Sequence, residues 1–179
     1  MTPVDYYLIP SRGGIVVEEF TFAADHTAVA LDCAAWSAAD GWHSAAALAR
    51  ELRAHPSRAV AVTREEAAAQ YPGIFPAEDG LRAVFADPLP LSVAPPLRLR
   101  DDAPEIFRVL FAGDLDRAPA FAPDEHFSVE LRQLRTLRAW ALDVSPRSPQ
   151  APPLGRLLRQ AIQVLRRHGL IPVTVERLG

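Results

Sequence analysis

The chain has 179 residues, of which 49% are hydrophobic, and a formal net charge of −3; this length supports one core and is short for two domains. All 19 basic residues are Arg, and neither Lys nor Asn occurs, which excludes a P-loop lysine, a Schiff-base lysine, a Ser–Lys dyad and a Cys-His-Asn triad. Cys33 is the sole cysteine, so an intrachain disulfide and a cysteine-based metal cluster are excluded as well.

The N-terminal segment predicts strands. Residues 4–10 and 15–22 are rich in β-branched and aromatic side chains, and Gly13 and Gly14 between them are typical of a hairpin turn. Residues 27–35 alternate in polarity and predict a third strand. The chain is therefore expected to open as a hairpin followed by a further strand.

Helices and strands are then expected to alternate. Residues 37–40 have the spacing of a capping box and predict a helix that ends before Pro56. Residues 58–62 read as a strand, and residues 63–66 form a second capping box for a helix that ends before Pro72. This order predicts one βαβ unit within a mixed sheet.

The middle of the chain predicts two further strands and a third helix. The strands are residues 81–86 and 97–100, on either side of a proline-rich connection. Residues 102–105 combine a cap, a proline and a carboxylate, and they predict a helix that is closed by Gly113.

The last third predicts mainly helix. Residues 124–143 are interpreted as helical, with the alternative that residues 140–144 end the segment as a strand. Residues 145–153 are interpreted as a proline-rich loop, and residues 154–169 as an amphipathic helix with Gly169 as its C-cap. Residues 173–178 predict a closing strand. The expected fold class is α+β: a single domain over residues 1–179, with a mixed, largely antiparallel sheet, about five helices and a C-terminal helix-strand unit.

Charge is distributed unevenly along the chain. Residues 1–125 carry 10 Arg against 19 acidic residues, a net charge of −9, whereas residues 126–179 carry 9 Arg against 3, a net charge of +6. The chain thus divides into an acidic, β-rich part and a basic part expected to be helical. Such a split attracts the basic part to an anionic partner or to the acidic part of the same or a neighbouring molecule.

Five arginines are the candidate partner-binding residues. Arg132, Arg135 and Arg138 recur at intervals of three and would share one ridge of a helix, while Arg156 and Arg159 extend the basic surface onto the last helix. Guanidinium groups in a row bind carboxylates or phosphates in a bidentate manner. The alternative is a solvated helix face, or pairing with acids of the same fold.

We therefore expect a non-catalytic interaction or assembly subunit of a bacterial complex, which docks on a protein partner or on itself through complementary charge. A nucleic-acid-associated protein using the same arginines on phosphates is one alternative. A small hydrolase with His126 as the acid–base group is another, and a cytosolic immunity protein is a third. HExxH, GxSxG and glycine-rich phosphate loops do not occur, so no metal and no cofactor is expected.

Two further expectations concern the location of the protein in the cell and the reactivity of Cys33. The first twelve residues lack the basic n-region of a signal peptide, and no stretch has 18 apolar residues without a charge, so a cytoplasmic protein is expected. Cys33 alternates with apolar residues in a predicted strand. We interpret it as a small buried hydrophobe and not as a nucleophile.

Overall fold

The structure is a computed structural model that describes residues 4–91, 105–121, 124–148 and 154–178. In this part of the chain there are two antiparallel sheets and four α-helices, which confirms the α+β class but not the single mixed sheet and the five or so helices that were expected. The chain divides into two units: the first comprises residues 1–21 and 29–91, and the second comprises residues 22–28 and 92–179.

The first unit is built on one sheet with three helices. Its strands and helices, in chain order, are β1 (Asp5–Ile9), β2 (Gly14–Phe22), β3 (Ala28–Ser37), β4 (Gly41–Ser44), α1 (Ala46–Ala54), β5 (Val60–Val62), α2 (Arg64–Gln70), α3 (Glu78–Arg82) and β6 (Leu89–Pro90). The strand order is β4-β3-β2-β1-β5, and β6 pairs with β3. Strand alternation gives this sheet two faces.

One face of this sheet lies against α1. Ala49 and Leu52 of the helix are buried, and Arg53 donates two hydrogen bonds to the carboxylate of Glu18 on β2, at 2.7 and 3.0 Å. The opposite face carries an apolar cluster whose members come from β1 and the residue before it, β2, β3, α2 and α3, namely Val4, Tyr6, Ile15, Val17, Ala34, Ala67 and Leu81. Burial of each large apolar side chain contributes about 1.5–3 kcal/mol to folding.

The hairpin, the third strand, α1, β5 and α2 confirm the sequence predictions. The capping box at Thr63 and Glu66 is formed, with Thr63 Oγ1 accepting from the Glu66 amide and Glu66 Oε2 accepting from the Thr63 amide. The helix start expected at residues 37–40 is wrong. Ser37 Oγ accepts the Asp40 N–H there, but the bond lies in the turn from β3 to β4. Both capping boxes have the same local spacing, but only one of the two turns leads into a helix.

Two further predictions for this unit are wrong. The expected βαβ unit is absent from residues 4–91, because β5 pairs with β1 in the antiparallel sense. Residues 78–82 form α3, where residues 81–86 were expected to be a strand. Leu81 is fully buried in the apolar cluster, so it contributes to the core from a helical turn.

The second unit has four long strands and one helix. They are β7 (Ile106–Ala112), β8 (Phe127–Leu134), β9 (Ala139–Pro146), α4 (Leu154–Arg167) and β10 (Ile171–Leu178). The strand order is β10-β7-β9-β8, and each neighbouring pair is antiparallel. A short 3-10 turn, Arg135–Leu137, joins β8 to β9, and Arg138 completes this turn in the left-handed conformation with φ of 48°.

The apolar face of this sheet is formed by alternate residues. Phe107 and Val109 of β7 are buried and lie opposite Val144 and Leu142 of β9. The ring of Phe107 contacts His26, and a Cβ on Gly155 of α4 would lie 3.3 Å from Nδ1 of that histidine. The start of α4 is therefore on the apolar face of the sheet.

The final helix and the closing strand confirm the sequence predictions. The two helices predicted before them, the one closed by Gly113 and the one over residues 124–143, are wrong. Residues 106–112 form β7 and residues 127–146 form the β8–β9 hairpin, so much of the part expected to be basic and helical is sheet. The apolar residues of these segments fit both periods: Phe127 and Leu131 recur at helical spacing, whereas Phe127, Val129 and Leu131 alternate as in a strand. The predicted strand at 97–100 and the cap at residues 102–104 lie outside the described residues.

Candidate interaction surface

A row of four charged residues crosses the sheet of the second unit. Glu130 of β8 lies opposite Asp143 of β9, which lies opposite Arg108 of β7, which lies opposite Glu176 of β10. Residues opposite one another point to the same face, so this face is polar where the other is apolar. The row contains all three acidic residues of the segment 126–179.

Asp143 is the centre of this row. Arg108 donates to its two oxygens from Nε and Nη2, at 2.7 and 2.8 Å, and Arg132 donates from Nε at 3.2 Å. Burial alone would raise the pKa of Asp143, but the hydrogen bonds and charges of the two arginines outweigh burial and hold this pKa below its ordinary value. The hydrogen bond to Asp143 raises the pKa of Arg108 in turn.

The structure gives the three arginines of the predicted ridge two different settings. Arg132 lies beside the charged row on the same face of the sheet, where its side chain is 41% exposed and paired with Asp143. Arg135 and Arg138 lie in the turn between β8 and β9, where both are exposed and pair with no carboxylate of the described residues. Leu137 lies between them and is 68% exposed, which places an apolar side chain beside two unpaired cations.

Arg156 and Arg159 lie at a distance from this turn. Both are exposed on α4, and neither pairs with a carboxylate of the described part of the chain. The 14-residue helix is about 21 Å long, and it starts beside Phe107, whereas the β8–β9 turn is at the end of the sheet marked by Ala112 and Ala139. The five candidate arginines therefore do not form one surface.

The end of α4 contributes basic residues that were not among the five candidate arginines. The helix ends at Arg167, and β10 begins at Ile171, opposite Ala112, so this helix end and the β8–β9 turn are at the same end of the sheet. Arg167 and His168 are exposed there, and His168 Nδ1 lies 2.9 Å from the carbonyl oxygen of Val164. Only the strand order reveals that this helix end and the turn lie at the same end of the sheet.

We call Arg135, Leu137, Arg138 and Arg167 the basic end of the second unit. Asp114 and Asp116 follow β7 at the same end of the sheet and are exposed, and they make no ion pair with these arginines. Cations still exceed carboxylates there, since Arg117 follows the two aspartates. A basic surface with one exposed leucine has the composition of a docking site for an anionic partner.

Arginines of the first unit contrast with this arrangement. Arg12 and Arg58 pair with Glu51, Arg53 pairs with Glu18, and Arg82 pairs with Glu19, Glu78 and Asp79. Arg64 donates to the hydroxyl of Tyr6 and to the carbonyl of Pro76. Arg50 is the exception, because it is exposed and pairs with no described carboxylate.

The residues considered for catalysis do not come together. His126 is half exposed, with Nε2 3.3 Å from Glu125, and Asp124 accepts from the backbone N–H groups of His126 and Phe127 in the turn before β8. Asp124 and Glu125 begin the segment 124–143 that was expected to be helical, and the structure corrects them to a loop. Among the described residues no group of three or more His, Cys, Asp or Glu is placed to hold a metal ion.

Cys33 is buried on β3, as its alternation predicted. Burial is the main cause that raises the pKa of its thiol far above the ordinary value, and the nearby carboxylate of Glu18 adds to this effect. A thiol in this setting is inert.

Comparisons with protein-family models, with curated proteins and with solved structures gave no match for this chain. Of the helices in the described ranges, none combines the length and the apolar character needed to cross a bilayer.

Proposed function

We propose that the protein is a non-catalytic interaction or assembly subunit of a bacterial complex, located in the cytoplasm, which docks on an acidic protein surface through the basic end of its second unit. The proposal modifies the set of five arginines that the sequence suggested. Arg135 and Arg138 remain at its centre, Leu137 and Arg167 join them, and Arg132 has an internal partner in Asp143.

A single observation supports this proposal most strongly. All three carboxylates of residues 126–179 lie in one row across the sheet, and two of them, Asp143 and Glu176, lie beside Arg108. The arginines of the basic end are therefore left without a counterion among the described residues of this segment. Exposed, unpaired guanidinium groups steer an anionic partner and bind its carboxylates in a bidentate manner.

The exposed Leu137 adds an apolar contact to this electrostatic attraction. An interface that combines a desolvated apolar side chain with flanking arginines matches the composition of binding hot spots. Because a turn projects this residue beyond the strands, a partner can contact it without rearrangement of the sheet.

The test is site-specific photo-crosslinking in cells. The chain lacks Lys, so amine-reactive reagents are unsuitable, and a photoreactive phenylalanine analogue at Leu137 is used instead. We expect one or a few defined protein adducts, which disappear in the variant R135E/R138E. A photoreactive residue at Val60, which is 51% exposed in the first unit, is the matched control position and should give no such adduct.

Charge reversal has its own control. R50E makes the same change at an exposed, unpaired arginine of the first unit and should leave the Leu137 adducts intact. Adducts that persist in R135E/R138E, or that disappear equally in R50E, would contradict the proposal. Adducts to nucleic acid, together with a steep dependence of DNA or RNA binding on salt concentration, would favour the nucleic-acid alternative.

A further inference from the structure

β8 is an edge strand with little protection against pairing. In the described part of the chain only β9 pairs with it, whereas its outer side carries no strand. The other edge, β10, has Pro172 and a register shift between Pro172 and Thr174, both of which impede pairing with a further strand. β8 has eight residues, no proline and no register shift.

We propose that a second copy of this chain pairs with β8 in the antiparallel sense, about a two-fold axis at Leu131, so that the two sheets join into one of eight strands. The dimer rests on the proposed function, because it names a second copy of the chain as one acidic partner of the charged residues in the β8–β9 hairpin. An isologous contact of this kind closes as a dimer.

The sequence of β8 is self-complementary in this register. With the axis at Leu131, Glu130 of each copy lies opposite Arg132 of the other, and the leucines lie opposite each other. Glu130 is exposed and has no ion pair with any described residue, while the side chain of Arg132 is 41% exposed. Both side chains are thus accessible to a neighbouring strand.

The neighbouring registers are electrostatically unfavourable. In a continuous sheet, residues opposite one another lie on the same face. The two-fold axis must therefore pass through a residue position, because an axis between two residues would place a residue of one face opposite a residue of the other. An axis at residue 130 brings Glu130 against its own copy, and an axis at residue 132 brings Arg132 against its own copy. Like charges directly opposite destabilise a pair of strands, so the register at Leu131 is selected.

Residues beyond the strand extend the same complementarity. Asp124 and Glu125 precede β8, and Arg135 and Arg138 follow it. Antiparallel pairing brings the acidic residues that precede β8 in each copy close to the arginines that follow β8 in the other copy. A parallel arrangement would bring like charges together at both ends.

The experiment measures the mass of the purified protein by sedimentation equilibrium as a function of concentration. Wild type should be a dimer in the micromolar range, and E130R should weaken dimerisation about 30-fold, because the two-fold axis turns two attractive pairs into two repulsive ones. E130R places a cation opposite Asp143, so it leaves the hairpin of its own subunit intact. E176Q, which changes the charge on the other edge without placing like charges opposite Arg108, should leave the dimer unchanged.

Mixing provides the decisive comparison. E130R and R132E should each be mainly monomeric, and an equimolar mixture should form a heterodimer, because positions 130 and 132 then carry two arginines in one chain and two glutamates in the other. If R132E fails to fold, an axis cysteine replaces it: L131C should form an intermolecular disulfide under mild oxidation, whereas S128C, which faces Leu134 of the second copy, should not.

Two outcomes would overturn the inference. One is a wild-type monomer at concentrations up to about 100 µM, and the other is a dimer that E130R leaves unaffected. The proposed function has a separate readout, since R135E/R138E abolishes adducts to other proteins while E130R does not. A wild-type monomer that still forms the adducts at Leu137 overturns only the inference of a dimer. A wild-type dimer that forms no such adducts overturns only the proposed function.

Discussion

Replacing Asp143 by Asn tests the charged row of the second unit. The substitution keeps the shape of the side chain and removes its charge, so Arg108 loses the carboxylate that accepts two of its hydrogen bonds. The side chains of Asp143 and Arg108 are 13% and 22% exposed, so water replaces these bonds only in part. We expect D143N to fold and to be less stable than wild type.

The magnitude follows from the partners of Asp143. A charge-assisted hydrogen bond in such a setting contributes about 1.5–3 kcal/mol, and the bond from the more exposed Arg132 contributes less. Removal of the negative charge also relieves the repulsion from Glu130 directly opposite, which returns about 0.2–1 kcal/mol. The net loss in the free energy of unfolding is expected to be about 2 kcal/mol at neutral pH.

This loss should depend on pH in a defined direction. The pKa of Asp143 is lowered in the folded state, so its contribution is present above the unfolded-state pKa of about 3.9 and is lost as the pH falls through the lower folded-state pKa. The difference in stability between wild type and D143N should therefore be largest near pH 7 and should shrink in strong acid.

Urea unfolding is monitored by hydrogen-exchange mass spectrometry of peptides from β7 and β9, which reports on the second unit directly. D79N is the matched control, because the side chain of Asp79 is 90% exposed and its pairing with Arg82 is a surface contact worth less than about 0.5 kcal/mol. A difference between wild type and D143N that stays constant down to pH 3, or that is no larger than for D79N, would refute the reasoning.

Three other predictions concern the first unit. R53M should lower the free energy of unfolding by about 3–5 kcal/mol, since it leaves the carboxylate of Glu18 buried without its cation, whereas the double variant E18L/R53M should recover most of this loss in urea titrations. Cys33 should be unreactive toward a thiol reagent in the native protein and react quickly in denaturant; fast native labelling would show that the strand opens. G14A should lower the melting temperature by several degrees, because the new Cβ would lie 2.7 Å from the carbonyl oxygen of Trp36; an unchanged melting temperature would show that the hairpin shifts without cost.

Where a local pattern had one interpretation, the sequence predicted the structure. Consecutive β-rich segments around Gly13 and Gly14 became the β1–β2 hairpin, the capping box at Thr63 opened α2, and the apolar stripe from Leu154 to Leu165 became α4. In each of these cases the turn, the cap or the stripe is satisfied by residues close in sequence. Such elements need little information from the rest of the chain.

The candidate site was predicted only in part. Arg135 and Arg138 were also proposed from the sequence, but their expected place on a helical ridge was wrong, because Arg138 adopts a left-handed turn conformation and Arg132 lies on a strand. Arg167 was not among the candidate arginines proposed from the sequence. Its position at the same end of the sheet as the β8–β9 turn depends on the strand order, which no local pattern encodes.

Composition and local pattern by themselves determined the α+β class, the excess of arginine after residue 125, the burial of Cys33 and the elements with satisfied turns or caps. Tertiary structure alone decided that β7, β8 and β9 are strands, because alternating apolar residues become a buried face only when neighbouring strands are present to pair with them. It also decided which of the described arginines have a carboxylate partner. Glu130, Asp143 and Glu176 are far apart in sequence and form one row with Arg108 only in the folded sheet, and that row leaves the arginines of the basic end without a partner among the described residues.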